Sequence, residues 1–316
     1  MMGTILARLG ACLYRRTGAQ CASYVALSKA VLTVAVMAFA VCVTASAGTL
    51  EQIKARGKLV VGVKKDVLLW GYQNPKTGRI EGLEPDLAQD LATRLGVQLE
   101  LVGLVTAERI GALESGQVDI LIATLSDTPE RQARLTLVEP HYYSSGVNIL
   151  ARKNEGFKQW TDLRNRRVCG RRGAFYNRMI TVEYGADIVA LYGNELAKSA
   201  LRDGRCSAFL YDDTSISAML IDPGWSQLFH MPLVTLYPTP WSVALPKGES
   251  GGAFAASVSA AIVNWHRSGL LSTLEQKWGI PPSAFVQDMR LVWNKRIDGR
   301  WFCGDQMDTN TPKECR

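Results

Sequence analysis

The chain has 316 residues, of which 47% are hydrophobic and 21% charged, values that exclude disorder for most of its length. The formal net charge of +7 includes four basic residues in positions 1–47, a segment without acidic residues, and the remainder carries only +3. This small and dispersed surplus argues against a nucleic-acid-binding surface, and the length favours two domains.

The N-terminal segment has the pattern of an export signal. An apolar run, Ala30–Val43, follows Lys29 and precedes the small-residue pattern Ala45–Ala47. The run is shorter than the roughly 20 apolar residues that cross a membrane. The sequence therefore predicts a signal peptide over residues 1–47, cleaved near Ala47, and a periplasmic location; a retained membrane anchor is the alternative.

Four cysteines follow this segment, namely Cys169, Cys206, Cys303 and Cys315, and they allow three disulfide pairings. Cys303 and Cys315 flank a short polar segment, and we expect them to close a small loop. Cys169 and Cys206 would then join two strands, with two buried thiols as the alternative. The sequence has no CxxC pair or Cys/His spacing of a metal site, and it predicts no metal and no cofactor.

Strands and helices alternate from residue 58. Lys58–Val63 is a predicted strand, and Pro85–Leu95 is a predicted helix because its apolar residues recur every three or four positions. The alternation continues with strand Val97–Val102, helix Thr106–Ser115, strand Val118–Ala123 and strand Val147–Ala151. This order predicts a mostly parallel sheet covered by helices.

The alternation then restarts, which favours two similar α/β units over one continuous sheet. The predicted strands are Arg167–Gly170, Ile188–Leu191, Ser207–Tyr211 and Trp241–Leu245, and the predicted helices are Asn194–Arg202, Ala253–His266 and Leu270–Trp278. After Pro281-Pro282 the sequence is polar, and we expect irregular structure there.

Two arginines lie in the first turns of predicted helices. Arg131 follows Thr128-Pro129-Glu130, which has the pattern of an N-cap, a proline at the first helical position and an acid. Arg109 follows Thr106 in a similar way. A cation is unfavourable at the positive end of a helix, so both arginines indicate an anionic ligand with more than one carboxylate. A surface ion pair with a neighbouring glutamate is the alternative for Arg131.

Seven segments resemble the polar amino-acid family of bacterial extracytoplasmic solute-binding proteins, the receptors of ABC importers. The segments are GKLVVGVKKDV (57–67), GLEPDLAQDLATRLGV (82–97), GQVDILIATLSDTPER (116–131), DLRNRRVCGRRG (162–173), DGRCSAFLYDD (203–213), WSVALPKG (241–248) and GLLSTLEQKWG (269–279). They follow the family's order over about residues 50–285. VGVKKDV and RIGALESG most resemble receptors for glutamate and aspartate.

The resemblance implies an α/β fold of the type II periplasmic-binding-protein kind, with two lobes that each hold a mostly parallel sheet flanked by helices. The implied boundaries are 49–149 plus 241–285 for lobe 1, 153–237 for lobe 2, and crossings near 150–152 and 238–240. Residues 286–316 would form a C-terminal extension pinned by a disulfide.

The resemblance also implies which residues bind the backbone groups of an amino acid. Arg131 would grip the α-carboxylate, because a guanidinium group binds a carboxylate with two parallel hydrogen bonds. Thr124 and Ser126 would add hydroxyl and backbone groups. Asp212 would receive the α-ammonium group, with the adjacent Asp213 as the alternative.

Two further cations would face the ligand side chain. Arg109 matches an arginine of the receptors for acidic amino acids, and Lys64, or alternatively Lys65, matches their lysine. Three cations around one small cleft repel one another unless a dicarboxylate neutralises them. A solvated loop lysine is the alternative for Lys64.

One turn departs from the family pattern. The family has a threonine after the position of Gly173, whereas this chain has Ala174-Phe175-Tyr176-Asn177. We expect Phe175, Tyr176 and Trp70 to line the cleft and offer a cation–π surface, with burial in the core as the alternative. Arg171 and Arg172 lie next to this turn and would add positive field.

These observations predict a monomeric periplasmic receptor that delivers an acidic or polar amino acid, glutamate or aspartate favoured, to an ABC permease in the inner membrane. One alternative is an exported dehydratase on the same scaffold that acts on a dicarboxylate. The three histidines of this chain are isolated in sequence, which favours a binding protein over an enzyme. They are His141, His230 and His266. A ligand-sensing module for a non-transport partner is the other alternative.

Overall fold

Helices and strands alternate through most of the computed structural model, which describes residues 48–316; the predicted signal peptide lies outside them. The helices are α1 (Thr49–Arg56), α2 (Leu83–Leu95), α3 (Arg109–Glu114), α4 (Pro129–Arg134), α5 (Tyr176–Tyr184), α6 (Asn194–Arg202), α7 (Asp213–Leu220), α8 (Pro223–Ser226), α9 (Ala253–Ser268), α10 (Leu270–Trp278) and α11 (Ala284–Asn294). The strands are β1 (Lys58–Lys64), β2 (Asp66–Val67), β3 (Gly71–Gln73), β4 (Ile80–Glu81), β5 (Gln98–Leu104), β6 (Ile120–Leu121), β7 (Thr136–Arg152), β8 (Arg167–Arg171), β9 (Asp187–Leu191), β10 (Ala208–Asp212), β11 (Phe229–His230), β12 (Leu236–Leu245), β13 (Arg296–Ile297) and β14 (Arg300–Trp301). Short 3-10 segments occupy Lys153–Glu155, Trp160–Leu163 and Lys313–Cys315.

The main sheet contains two sets of parallel strands. Its order is β5-β1-β6-β12-β7-β10-β8-β9, and β11 also pairs with β7. Strand β1 is parallel to β5 and β6, and β8 is parallel to β9 and β10. Each set is part of an α/β unit, as the alternation of the sequence predicts.

The long antiparallel strands β7 and β12 link the two sets. Strand β12 pairs with β7 from Thr136 to Val147, and β10 pairs with β7 from Val147 to Ala151. Strand β7 therefore changes its partner from β12 to β10 at Val147, before the expected crossing at 150–152. The other expected crossing, at 238–240, lies within β12. The lobe boundaries themselves stay a prediction.

Helix α2 shows how the apolar pattern fixes a helix. Its Leu87 and Leu91 are fully buried, and Gly96 ends it in the left-handed conformation with φ of 70°. In that conformation the Gly96 N–H donates to carbonyl groups of the last helical turn. The predicted helix is therefore confirmed, and it begins two residues earlier than expected.

Two predictions about helices are wrong. Helix α3 begins at Arg109 rather than at Thr106, because the Thr106 hydroxyl accepts a hydrogen bond from Lys64 instead of capping the helix. The segment after Pro281-Pro282, expected to be irregular, contains α11. Its Val286, Met289 and Trp293 are buried at helical spacing, so the sequence carries the pattern of a helix there, and the expectation of irregular structure gave too much weight to the two prolines and the polar residues.

Both expected disulfides are present. Cys169 in β8 is bonded to Cys206, and Cys303 is bonded to Cys315 in the C-terminal extension. Among residues 48–316, no helix combines the length and the apolar character that crossing a membrane requires.

Candidate functional site

The predicted site residues lie where strands end and helices begin. Lys64, Arg171 and Asp212 are the last residues of β1, β8 and β10, and Thr124 and Ser126 follow β6. Arg109 begins α3, and Arg131 lies in the first turn of α4. Because the carboxyl ends of parallel strands meet at one edge of a sheet, these residues converge from both parallel sets.

Arg109 is held by backbone carbonyl groups. Its Nη1 donates to the carbonyl oxygens of Ala123 and Thr124, both at 2.7 Å, and its Nε donates to that of Thr106 at 3.2 Å. Burial, followed by repulsion from Arg171, lowers the pKa of Arg109. The guanidinium group is therefore fixed in place while keeping its charge.

Arg131 is held in a similar way and reaches the other parallel set. Its backbone N–H is capped by Thr128, and its Nη1 donates to the Ser126 carbonyl at 2.7 Å. Its Nη2 approaches the Gly173 carbonyl at 3.5 Å, and its Cζ lies 5.7 Å from the centre of the Phe175 ring. Burial, and then Arg109, lower its pKa to about 9. Arg131 is 5% exposed, so the alternative of a surface ion pair is wrong.

Lys64 is fully buried, so the alternative of a solvated loop lysine is wrong. Its Nζ lies 2.8 Å from Asp66 Oδ1 and donates to the Thr106 hydroxyl at 3.1 Å. Burial lowers its pKa to about 7, although the carboxylate of Asp66 opposes this shift. Lys65, the other candidate, is partly exposed and lies 3.5 Å from Glu108.

Asp212 is buried in an ion pair that the sequence analysis did not predict. Its Oδ2 accepts a hydrogen bond from Arg171 Nη2 at 3.0 Å, and the Arg171 guanidinium stacks 3.7 Å from the Tyr211 ring centre. Burial raises the pKa of Asp212, and Arg171 opposes this shift most strongly. Asp213 instead accepts hydrogen bonds from Ser145 and the Gly146 N–H. Arg171 and Asp212 each end a predicted strand, and this shared position in the sequence could have predicted that they lie close together.

Glu84 is a residue of this region that the sequence did not predict. Its Oε1 accepts hydrogen bonds from the Thr124 N–H at 2.5 Å and from the Tyr142 hydroxyl at 2.6 Å. Thr124 has a φ of 47°, a conformation unfavourable for a β-branched residue, and the hydrogen bond that its N–H donates to Glu84 helps to hold it there. Burial raises the pKa of Glu84 to about 8, so this carboxyl group is mostly protonated at neutral pH.

Three of the contacts among residues 48–316 join the two parallel sets of strands. Asn194 donates from its backbone N–H to Asp66 Oδ2 at 2.9 Å and from its side chain to the Asp66 carbonyl at 2.7 Å. The Tyr192 hydroxyl donates to Glu108. The third contact is the approach of Arg131 to Gly173 described above.

The expected aromatic residues occupy two different environments. Phe175 is half-buried beside Arg131 and packs 5.2 Å from Tyr176, ring centre to ring centre. Trp70 is fully buried, and its ring lies 4.5 Å from Tyr143 and 4.8 Å from Trp241. The expectation that Trp70 lines the cleft is therefore wrong, because it packs in the core.

The structure thus brings the seven predicted residues together and adds three more. We call the charged cluster a set of six residues, all buried except the partly exposed Asp66, namely Lys64, Asp66, Arg109, Arg131, Arg171 and Asp212. It contains four basic and two acidic side chains, so it favours a ligand with carboxylate groups. Residues 48–316 contain no group of three His, Cys, Asp or Glu side chains arranged to hold a metal ion.

Comparison with known sequences gives one family and several named relatives. The model of the bacterial extracellular solute-binding proteins, family 3, matches residues 59–281. The ABC transporter glutamine-binding protein GlnH of Bacillus subtilis is 27% identical over 235 residues, 73% of this chain and 84% of the relative. The L-glutamate/L-aspartate-binding protein of Pseudomonas aeruginosa is 23% identical over 261 residues, 75% and 82% of the two chains. The glutamine-binding protein of Geobacillus stearothermophilus is 38% identical, but over only 38% of this chain and 47% of the relative.

Solved structures share the fold. The amino acid ABC transporter substrate-binding protein AbpA from Streptococcus pneumoniae, bound to L-arginine, has a TM-score of 0.67 and 24% identity, covering 73% of this chain and 100% of that chain. The ancestral amino acid-binding protein AncCDT-1, a precursor of cyclohexadienyl dehydratase, has a TM-score of 0.64 and 25% identity, with 73% and 99% covered. These neighbours confirm the predicted two-lobe α/β fold.

Proposed function

The chain belongs to the bacterial extracellular solute-binding proteins, family 3, and on that premise we propose that it is a periplasmic receptor for an acidic amino acid. Its named relatives are amino-acid-binding proteins of ABC transporters rather than enzymes. We further propose that its signal peptide is cleaved near Ala47, that it works as a monomer, and that it delivers glutamate or aspartate to an ABC permease.

The composition of the charged cluster supports an acidic ligand. Four basic side chains and two carboxylates lie within it, and five of these six residues are buried, Asp66 being nearly so. Like charges that are shielded from water are costly unless an opposite charge neutralises them. A ligand with two carboxylates supplies that charge, whereas glutamine carries one and arginine adds a further cation. The Pseudomonas aeruginosa relative is named for glutamate and aspartate, while other relatives are named for other amino acids.

The geometry supports a role for each residue. Arg131 lies beside Ser126 and Phe175 and would bind the α-carboxylate, with Thr124 close by. Arg109 and Lys64 lie on the same side of the cleft and would face the side-chain carboxylate. Asp212, from the other parallel set, would face the α-ammonium group.

Binding would select the closed arrangement of the lobes. A ligand that touches both lobes binds tightly only when they are together, so it shifts the population to the closed state. The contacts of Asn194 with Asp66 and of Tyr192 with Glu108 join the two parallel sets and would stabilise that closed state. The permease would then recognise the closed form.

Isothermal titration with glutamate, aspartate, glutamine, arginine and histidine tests the proposal. We expect glutamate or aspartate to bind at least tenfold more tightly than the other three, a difference of about 1.4 kcal/mol. Tightest binding of arginine, glutamine or histidine would contradict the acidic ligand. No heat from any amino acid would contradict the amino-acid receptor itself.

The alternative of an enzyme receives no support from the comparisons. The neighbour that is described as a precursor of a dehydratase is itself described as an amino acid-binding protein. The histidine His266 is buried and bonded to the His141 carbonyl, and His141 is paired with Asp127. The chain is a binding protein.

A further inference from the structure

We propose that Arg171 and Tyr176 bind the side-chain carboxylate of the ligand, from the parallel set that contains β8 and β10. This inference rests on the proposed function in one respect, namely that an acidic amino acid binds at the charged cluster. It goes further by giving both side chains a direct hydrogen bond to the ligand, whereas the sequence suggests only a cation–π surface and a positive field.

The cations of the other parallel set have few donors left for a ligand. Three protein oxygen atoms lie within 3.4 Å of Lys64 Nζ, as many as an ammonium group has N–H donors. They belong to Asp66, Thr106 and Leu104. Arg109 uses three of its five N–H donors on backbone carbonyl groups. Both residues supply positive charge, but a carboxylate accepts about four hydrogen bonds and needs further donors.

Arg171 has such donors while it stays paired with Asp212. Its Nη2 lies 3.0 Å from Asp212 Oδ2, and this pair leaves the other carboxylate oxygen for the α-ammonium group. The Nε and Nη1 atoms of Arg171 are buried, and neither has a hydrogen-bond partner among residues 48–316. Stacking on the Tyr211 ring at 3.7 Å fixes the plane of the guanidinium group. Since buried polar groups of native proteins are normally hydrogen-bonded, these donors fit oxygen atoms of the ligand.

The Tyr176 hydroxyl is a second buried donor without a protein partner. Tyr176 is 2% exposed and begins α5. Its hydroxyl lies near the Arg171 guanidinium group but forms no hydrogen bond of good geometry with it or with any other of residues 48–316. Burial, followed by the charge of Asp212, raises the pKa of Tyr176. The hydroxyl therefore keeps its proton at neutral pH and remains a donor.

These donors lie at the end of the cleft that is proposed for the side-chain carboxylate. Asn177 donates to the Arg171 carbonyl at 2.7 Å, which ties the start of α5 to the end of β8. Burial lowers the pKa of both Lys64 and Arg109, and repulsion from Arg171 adds to this shift. Tyr176 also interacts electrostatically with Arg109. A negatively charged group bound among these side chains would relieve the repulsion between the cations.

Tyr176→Phe tests the hydroxyl group alone. Because this hydroxyl has no protein partner, its removal should leave the unfolding temperature of the ligand-free protein unchanged or higher. By isothermal titration, we expect glutamate to bind at least tenfold more weakly, since a hydrogen bond to a charged acceptor is lost. Glutamine, whose side chain ends in a neutral amide, should lose less than threefold. Tyr184→Phe, at the other end of α5, is the matched control and should leave both affinities unchanged.

Arg171→Lys tests the unpaired donors of the guanidinium group. Lysine keeps the positive charge that pairs with Asp212 but lacks the planar set of five donors. We again expect a loss of at least tenfold for glutamate and less than threefold for glutamine. Arg167→Lys, at the exposed first residue of β8, is the control and should change neither affinity. If Arg171→Lys does not fold, as judged by thermal unfolding, Tyr176→Phe decides, because it removes no hydrogen bond within the protein.

The outcomes separate this inference from the proposed function. Unchanged glutamate affinity in Tyr176→Phe, or in folded Arg171→Lys, would overturn the inference and leave the acidic amino-acid receptor standing. Equal losses for glutamate and glutamine would overturn it too, because the two side chains would then bind a group that both ligands share. A lower unfolding temperature of Tyr176→Phe would show that the hydroxyl has a partner in the protein, with the same consequence. Absence of binding of glutamate and aspartate to the wild-type protein would overturn both.

Discussion

Glu84 accepts a hydrogen bond from the backbone of Thr124, whose hydroxyl group is a proposed ligand contact, and the protonation of Glu84 depends on pH. Its carboxyl group accepts the Thr124 N–H and the Tyr142 hydroxyl inside the core. Burial raises its pKa from 4.5 to about 8. The folded state therefore binds this proton more tightly than the unfolded state does.

The raised pKa of Glu84 determines how the stability of the folded state changes with pH. The stability contributed by protonated Glu84 is complete below about pH 4.5, the unfolded value, and is lost as the pH rises through about 8. Glutamine has no proton to lose. We therefore expect Glu84→Gln to lose less stability than the wild type between pH 5 and pH 8, measured as the change in unfolding temperature. Equal losses in the two proteins would contradict this, and Glu130→Gln, at an exposed position, should behave like the wild type.

Arg131 should require its guanidinium group and not only its charge. Its Nη1 and Nη2 atoms lie 2.7 Å from the Ser126 carbonyl oxygen and 3.5 Å from the Gly173 carbonyl oxygen, which orients the plane of the guanidinium group. Lysine keeps the charge but cannot form two parallel hydrogen bonds to a carboxylate. We expect Arg131→Lys to weaken glutamate binding at least tenfold, by isothermal titration.

The control for this variant lies one turn further along α4. Arg134 is exposed and paired with Glu114, so Arg134→Lys should change the affinity by less than twofold. Equal affinities of Arg131→Lys and wild type would show that Arg131 does not bind the ligand carboxylate.

Among the elements, the C-terminal extension is attached to the outside of helix α9. Trp293 of α11 is fully buried in a cluster with Val263 of α9 and the disulfide of Cys303 and Cys315. Arg267 of α9 donates to the Trp293 carbonyl at 3.1 Å and stacks on the Trp301 ring at 4.6 Å. None of these residues belongs to the charged cluster, so the extension stabilises its lobe without forming the cleft.

Removal of this disulfide should therefore affect stability but not binding. The two cysteines are 12 residues apart, and a crosslink of that loop length contributes about 3 kcal/mol in the chain-entropy model. In Cys303→Ser/Cys315→Ser we expect faster hydrogen exchange over residues 296–316, with glutamate affinity within twofold of the wild type. A large loss of affinity would show that the extension is coupled to the cleft.

Hydrogen bonds join the two parallel sets of strands at the scale of the whole molecule. The Tyr192 hydroxyl donates to Glu108, which precedes α3 in the other set. Tyr192→Phe removes this contact only from the closed state, so every ligand should lose affinity by the same factor, roughly fivefold for one hydrogen bond of about 1 kcal/mol. Titration with glutamate and aspartate measures this factor.

A matched variant is available within one set. The Tyr237 hydroxyl donates to Glu183, and both residues lie in the predicted lobe 2. Tyr237→Phe removes the same kind of hydrogen bond and should leave both affinities unchanged. A loss that differs between glutamate and aspartate in Tyr192→Phe would place Tyr192 in ligand recognition instead of closure.

Local patterns in the amino-acid order predict most of the helices and strands and the charged candidates for the site. Strand and helix periodicity predicted helices such as α6 and α10 with their observed bounds, and the N-cap pattern at Thr128 predicted the start of α4. These features depend on residues that are near one another in sequence, so the order of the residues is enough to predict them. Helix α11 carries the same periodicity, with Val286, Met289 and Trp293 buried, and the prolines before it led instead to the wrong expectation of irregular structure.

Which charges form ion pairs depends on the three-dimensional fold. Arg171 and Asp212 are 41 positions apart, and their ion pair exists because β8 and β10 are adjacent in the sheet. Elements that are distant in sequence produce three further features in the same way. They bury Lys64, bring Glu84 into contact with Thr124 and enclose Trp70 in the core. Electrostatic interaction and burial depend on distance in space, which the order of residues does not specify.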